Sequence, residues 1–208
     1  MDRRSFLRLG ASGIAGCVCG CATSRSSISS RLAIREDFIP DGKFGRQIHV
    51  PLRPTFITVH STGSPGGTAA AHARLLREGK IRAKTQWNKR GFNIWHFTVD
   101  DREVIQHMPL NEAGEHADHD GPGNAKSIGI EICEFRDARQ QRRALDRAAE
   151  LVADVRRSFG IGESHIVPHY YWTMHRFNNW HKPCPAILMD GGKPGAKWDG
   201  FLRTVMRS

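Results

Sequence analysis

Eleven histidines occur in 208 residues, and three of them fall in one stretch, VPHYYWTMHRFNNWHKPCP, from Val167 to Pro185. There His169, His175 and His181 precede Cys184 among aromatic side chains. Such residues could ligate a metal, form a Cys/His nucleophilic pair, or pack an aromatic loop. Partners elsewhere in the chain bear on the choice. His60 ends TFITVH, directly before the small-residue run STGSPGG. Glu131 lies inside SIGIEIC, an otherwise apolar stretch where an ionised carboxylate is costly unless it is paired. Cys184 sits between two prolines, which fix its backbone and exclude the ordinary helix N-terminus that activates a thiol. Two histidines and a cysteine suit a tetrahedral Zn2+ with its fourth position left to water, and this donor set favours zinc over Mg2+ or Ca2+. A carboxylate with a raised pKa beside it would take the proton of the attacking water. A mononuclear zinc hydrolase is therefore one reading. Spacing carries it no further, because the ligands come from distant segments.

The elements that must position these residues read as a mixed set. Thr55–His60 is predicted as a buried strand by its β-branched and aromatic run before a turn signal. TAAAHARLLREG reads as a helix with Thr68 at its N-cap and Gly79 as its stop. FNIWHFTVD and EVIQHM read as two strands of a hairpin joined by DDR. NEAGEHADHDGPGNAK reads as a polar loop, and Ser127–Cys133 as a strand buried on both faces. From about Arg139 to Ser158, Leu145, Ala148, Ala149, Val152 and Val155 recur at helical spacing with charges opposite, ending at Gly160 and Gly162. SHIVPH reads as a last short strand and KWDGFLRTVM as a closing helix. Strands and helices mixed in this order, with a hairpin inside, predict an α/β fold with a central mixed β-sheet flanked by helices.

The N-terminus carries a different signal. MDRRSFLRLG matches a twin-arginine export pattern, and the weakly apolar ASGIAGCVCGCATS after it is too short for a stable membrane span. Cys17, Cys19 and Cys21 fall where an exported chain is cleaved, in lipobox-like settings. Cys21 is the expected lipidation site, with Cys17 as the alternative, and the Ser-rich ATSRSSISS after it reads as a tether. The expected organisation is a signal over 1–20, a tether and N-terminal extension over 21–45, and one domain over 46–208. The net charge of the chain is +10, of which the leader through Gly20 carries +2. For an exported protein this excess points to anionic cell-wall or membrane surfaces rather than to nucleic acid, with a solvated basic surface that has no specific partner as the alternative. Only Cys133 and Cys184 remain beyond the leader and its candidate lipidation site, so no disulfide framework is implied.

From TFITVHSTGSP to HKPCPAIL the chain resembles the type 2 N-acetylmuramoyl-L-alanine amidases, relatives of the peptidoglycan recognition proteins. The resemblance rests on TVHSTG, on the hairpin WHFTVDDREVIQHMPL with GEHADHDGPGN after it, on SIGIE, and on HKPCP, in that order. It implies that family's fold and one zinc ion per chain, held by His60, a downstream histidine and Cys184. His169 is the expected second ligand because HIVPH resembles the family strand that ends in its ligand. His175 is the alternative, because its nine-residue spacing to Cys184 is closer to that of compact members. Glu131 would be the general base and Lys182 the group that stabilises the oxyanion. His116, Asn124 and, more weakly, His96 match positions near substrate. Glu115 replaces an aromatic residue found in many relatives.

The implied activity is hydrolysis of the amide between N-acetylmuramic acid and L-alanine in peptidoglycan or muropeptides. The expected setting is a monomer in the periplasm, held by its lipid anchor on the outer membrane. A catalytically silent peptidoglycan receptor and a Cys/His cell-wall peptidase are the alternatives. Tyr170, Tyr171, Trp172 and Trp180 either line a groove or pack the loop.

Overall fold

A computed structural model describes residues 32–83, 88–119, 121–174 and 178–208. In chain order the elements are β1 (Ile34–Glu36), β2 (Phe56–Ser61), α1 (Ala69–Arg77), β3 (Phe97–Val99), β4 (Val104–Gln106), α2 (Pro122–Lys126) and β5 (Ser127–Ile132). They continue with α3 (Ala138–Phe159), β6 (Ile166–Pro168), β7 (Thr173–Met174), β8 (Trp180–His181), β9 (Met189–Asp190), β10 (Lys193–Pro194) and α4 (Ala196–Arg207). Six strands form the central sheet in the order β1-β4-β3-β5-β2-β6. β3 and β4 make the predicted antiparallel hairpin, and every other neighbouring pair is parallel. The mixed sheet is thus the one expected.

The alternation of side chains across the strands divides the sheet into two unlike faces. On one, Ile57, Val59, Phe97, Val99, Ile128, Ile130 and Ile132 are fully buried against α3 and α4. Each such side chain contributes about 1.5–3 kcal/mol of transfer free energy. α3 presents Ala148, Leu151, Val152 and Val155 to this core. Asp137 starts it by accepting from Gln140 N at 2.8 Å, and Gly160 ends it in the left-handed conformation at φ 65°, where a Cβ would be strained. Thr68 caps α1 as expected, accepting from Ala71 N at 3.2 Å.

The opposite face carries Thr58, His60, Thr98, Ser127, Gly129 and Glu131. α1 covers part of it through Ala69 and Ala73 against Ile105. β5 is buried on both faces, yet its sequence alternates strictly, isoleucine on one side and Ser, Gly, Glu on the other.

Three expectations need correction. Residues 32–45, placed in the tether and extension, supply edge strand β1 and the fully buried Ile39. The loop before β5 ends in α2, whose start is capped by Asp118 Oδ2 accepting from Gly123 N at 2.8 Å and Oδ1 accepting from Asn124 N at 2.9 Å. The strand read from FNIWHFTVD shortens to Phe97–Val99, because Ile94 exchanges both backbone hydrogen bonds with Glu115. That exchange draws the 113–119 loop over the polar face. Of the N-terminal segment, the leader and the candidate cysteines Cys17 and Cys21 lie outside the described residues, as does His175 in the late loop.

Candidate metal centre and catalytic site

The register of β2 on β5 pairs His60 with Glu131 directly, so both side chains rise from the same face at the same level. β6 lies on the other side of β2, and the residue after it is His169. Three adjacent parallel strands therefore deliver His60, Glu131 and His169 to one spot. Cys184 arrives from the loop before a single helical turn at Ala186–Leu188. That loop is tied down by Ala186 N donating to Ser61 Oγ at 2.9 Å and by Tyr170 N donating to the Cys184 carbonyl at 3.0 Å.

His60 Nδ1 lies 2.9 Å from His169 Nδ1 and 3.9 Å from Cys184 Sγ. The ligand atoms of these three buried residues all lie within 4.8 Å of one another. The tautomer of His169 is set by its surroundings. Its Nε2 is 2.9 Å from the Ala117 carbonyl, which can only accept, so the proton sits on Nε2 and the Nδ1 lone pair faces His60. His60 Nε2 in turn meets His116 Nδ1 at 3.0 Å. A lone pair directed at a second imidazole nitrogen, with a thiol sulfur alongside, is an arrangement that can hold a positive centre. Two imidazoles and a thiol are the donor set of a catalytic zinc site, and the outward-facing nitrogens carry the supporting hydrogen bonds such ligands usually have. The residues present therefore fit zinc.

Burial governs the electrostatics. It pushes His60 well below its ordinary value, aided by His169, His116 and Lys182, and His169 down to about 3. Both imidazoles are therefore neutral and ready to ligate. The Cys184 thiol is pushed up to about 12 by burial and then by Glu131, so by itself it is no nucleophile. Glu131 Oε1 is 4.0 Å from His60 Nδ1, while its Oε2 is buried without a hydrogen-bond partner. Burial raises this carboxyl to about 7, against the pull of Lys182. A carboxyl poised near neutrality, with one oxygen unengaged, can take and return a proton. Lys182 lines the same cleft, of about 800 Å³, as Glu131, His116 and His169.

The remaining sequence candidates have more indirect places. His96 is fully buried; its Nε2 donates to the Glu112 carbonyl at 2.9 Å and its Nδ1 accepts from Gly129 N at 3.0 Å, so it has no free atom for a ligand. Asn124 is 4 % exposed and acts as a clamp. Its Oδ1 accepts from His116 N and Ala117 N, both at 2.8 Å, and its Nδ2 donates to Glu115 Oε1 at 2.9 Å and to the His119 carbonyl. Asn124 thereby holds the carbonyl that orients His169. His116 lies in the cleft, its ring flat over Gly129, where a Cβ would come within 2.7 Å of it. The Gly129 role escaped the sequence reading, though the Ser-Gly-Glu alternation among isoleucines was its visible signal. His181 stays outside the cluster. Trp172 is buried and donates from Nε1 to Thr58 Oγ1 at 2.9 Å, so it packs the loop, whereas Trp180 lines the cleft.

A family model described as N-acetylmuramoyl-L-alanine amidase matches residues 51–186, which span every residue of this site. The chain belongs to that amidase family. Among curated relatives, N-acetylmuramoyl-L-alanine amidase XlyA of Bacillus subtilis is 40 % identical over 171 residues, covering 81 % of this chain and 49 % of XlyA. CwlH of the same species is 35 % identical over 181 residues, covering 85 % of this chain and 62 % of CwlH. The chain thus spans about half to three-fifths of these relatives. The solved catalytic domain of XlyA superposes with a TM-score of 0.67 at 39 % identity, covering 84 % of this chain and 99 % of that domain. PlyL, at 22 % identity and a TM-score of 0.66 over 84 % of this chain and 97 % of its own, shares the fold.

Proposed function

We propose that the protein is a zinc-dependent N-acetylmuramoyl-L-alanine amidase, hydrolysing the amide between the lactyl group of N-acetylmuramic acid and L-alanine. The observation that carries this reading is the convergence of His60, His169 and Cys184 beside Glu131, on a fold whose solved relative is an amidase catalytic domain. His60, His169 and Cys184 would hold the zinc, which when bound supplies a Lewis acid for the scissile carbonyl and makes water more acidic. Glu131 takes a proton from the attacking water as the new C–O bond forms. Lys182 faces the negative charge that develops on the carbonyl oxygen. Glu131 then returns the proton to the amine nitrogen as the C–N bond breaks, and the carboxylate is regenerated. Asn124 and the Ala117 carbonyl keep His169 in its ligating tautomer throughout.

Incubation of the protein with a muropeptide tests this. The expected products are free N-acetylmuramic acid and a peptide with a new L-alanine amino group, with cleavage stopped by chelator and restored by Zn2+. Tight binding without cleavage, indifferent to chelator, would support a receptor instead. The peptidase alternative fits poorly, since the Cys184 thiol is 5 % exposed and held protonated. On sequence grounds alone the proposal extends to twin-arginine export and a periplasmic anchor at Cys21, or at Cys17. Among the described residues no helix is long and apolar enough to cross a membrane. Labelling with palmitate, lost in Cys21→Ser and Cys17→Ser together, tests the anchor; an exported but unlabelled parent sinks it.

A further inference from the structure

One wall of the cleft is formed by Trp180 of β8 and by Lys182 just after it, and here the structure explains one tryptophan and not the other. Trp172 is 6 % exposed, packed edge-on against Phe56 and hydrogen-bonded to Thr58. Trp180 is 51 % exposed and borders the reaction cleft beside Lys182. Alternation along an extended strand puts residues two apart on one side. Trp180 and Lys182 accordingly share the cleft side, while His181 between them borders a separate surface groove with Tyr170. His181 fixes that choice. Its ring stacks on Tyr170 with centroids 4.7 Å apart and planes 18° apart, and its Nδ1 donates to the Tyr170 carbonyl at 2.6 Å. Tyr170 follows the ligand His169 directly, so β8, and Trp180 on it, is tied to the metal cluster by one residue.

The other wall, formed by His72, Ile81, Asn93 and Trp95, is different. Trp95 is 6 % exposed and donates its indole N–H to Thr98 Oγ1 at 2.8 Å, so it presents no open ring face. Half-exposed indole next to the reacting groups is therefore a property of the Trp180 wall alone among the described cleft residues.

We propose that Trp180 is the platform on which the pyranose ring of the substrate's amino sugar stacks, so that the enzyme selects for the sugar as well as for the peptide. The inference rests on the amidase reading, because the scissile amide lies at the junction of glycan and peptide. With its carbonyl over Glu131 and Lys182, one side of the cleft must take the sugar and the other the stem peptide. The C–H face of a pyranose complements an indole face, and a tryptophan offers that area with little rotamer entropy to lose. The wall of Ile81, Asn93 and Trp95 then takes the peptide.

Two substrates test the assignment: an N-acetylmuramoyl peptide, and the same peptide bearing only a D-lactoyl group in place of the sugar acid. For Trp180→Ala we expect KM on the sugar-bearing substrate to rise about tenfold with kcat within about twofold, the pattern of lost uniform binding. The lactoyl peptide should be cut as by the parent, and Trp180→Tyr should recover most of the loss. Zinc content and thermal midpoint should stay at parental values. Equal losses on both substrates, or none on the sugar-bearing one, would overturn the platform. Binding of the sugar-bearing peptide to Glu131→Gln protein, with and without Trp180→Ala, separates the two readings. If the parent cuts neither substrate while Trp180→Ala still weakens binding, the amidase reading fails and the platform stands. If Trp180→Ala leaves binding intact, the platform fails whatever the parent cuts.

Discussion

The two faces of the central sheet are made by the same strands and do opposite things. One is a continuous apolar surface of Ile57, Val59, Phe97, Val99, Ile128, Ile130 and Ile132, closed by α3 and α4. The other, offset by one residue along every strand, carries Thr58, His60, His96, Thr98, Gly129 and Glu131. All of these except Glu131 are as deeply buried as the apolar set. The difference teaches that burial here serves two ends. On the first face it stabilises the fold. On the second it keeps imidazoles neutral and lifts a carboxyl toward neutrality, which costs stability and yields a reactive centre. The second face is tolerable because the first is strong.

The contrast can be broken from either side. Glu131→Gln keeps the shape of the reactive face and removes the carboxylate proposed as its base; muropeptide turnover should fall about a thousandfold, while bound zinc and the thermal midpoint remain near parental values. Ile130→Ala, the neighbouring residue on the other face, should do the reverse. It should cost about 3 kcal/mol in urea unfolding, with turnover of the protein that remains folded nearly unchanged. Asn124→Ala tests the clamp behind the reactive face. Freed from Asn124, the Ala117 carbonyl no longer orients His169, and zinc affinity, read by competition with a chelator, should weaken about tenfold to a hundredfold.

A pH series sharpens the comparison further. Burial holds His96 down to about 4 and His107 to about 3. Between pH 6.5 and 4 the unfolded chain binds protons at these positions that the folded chain refuses. Stability from these groups is therefore fully present above pH 6.5 and is lost as pH falls, by up to about 1.4 kcal/mol per pH unit for each imidazole. Urea midpoints measured down this range should fall, and more gently in His107→Asn. The apolar face contributes no such slope.

How much of this is legible in the sequence differs between the faces too. The apolar face and its helices follow from local patterns: α3 from its spacing and Gly160, α1 from Thr68 and Gly79, β2 from its β-branched run. The edge strand β1 escaped notice because three residues in a polar context, Ile34, Arg35 and Glu36, become a strand only by pairing with β4. α2 was missed because its cap comes from Asp118, upstream of Gly121, the residue that precedes the helix. At the site, His60, Glu131, His169 and Cys184 could be named from strand ends and from the family resemblance, but not their distances. Those depend on the register of β2 between β5 and β6, which no local pattern encodes. Asn124 was singled out as a substrate neighbour, and its use as a clamp for His116 and Ala117 is visible only in three dimensions. Gly129 reads as a strand residue until the ring lying over it is seen.

The central claim, that His60, His169 and Cys184 form the metal centre of an amidase, is tested most directly by His169→Ala. Zinc per chain should be measured in the purified variant alongside muropeptide turnover, with His175→Ala as its companion. The expected result is one zinc and full cleavage in the parent and in His175→Ala, and loss of both in His169→Ala with the fold retained. Full zinc and full turnover in His169→Ala would contradict the centre as described.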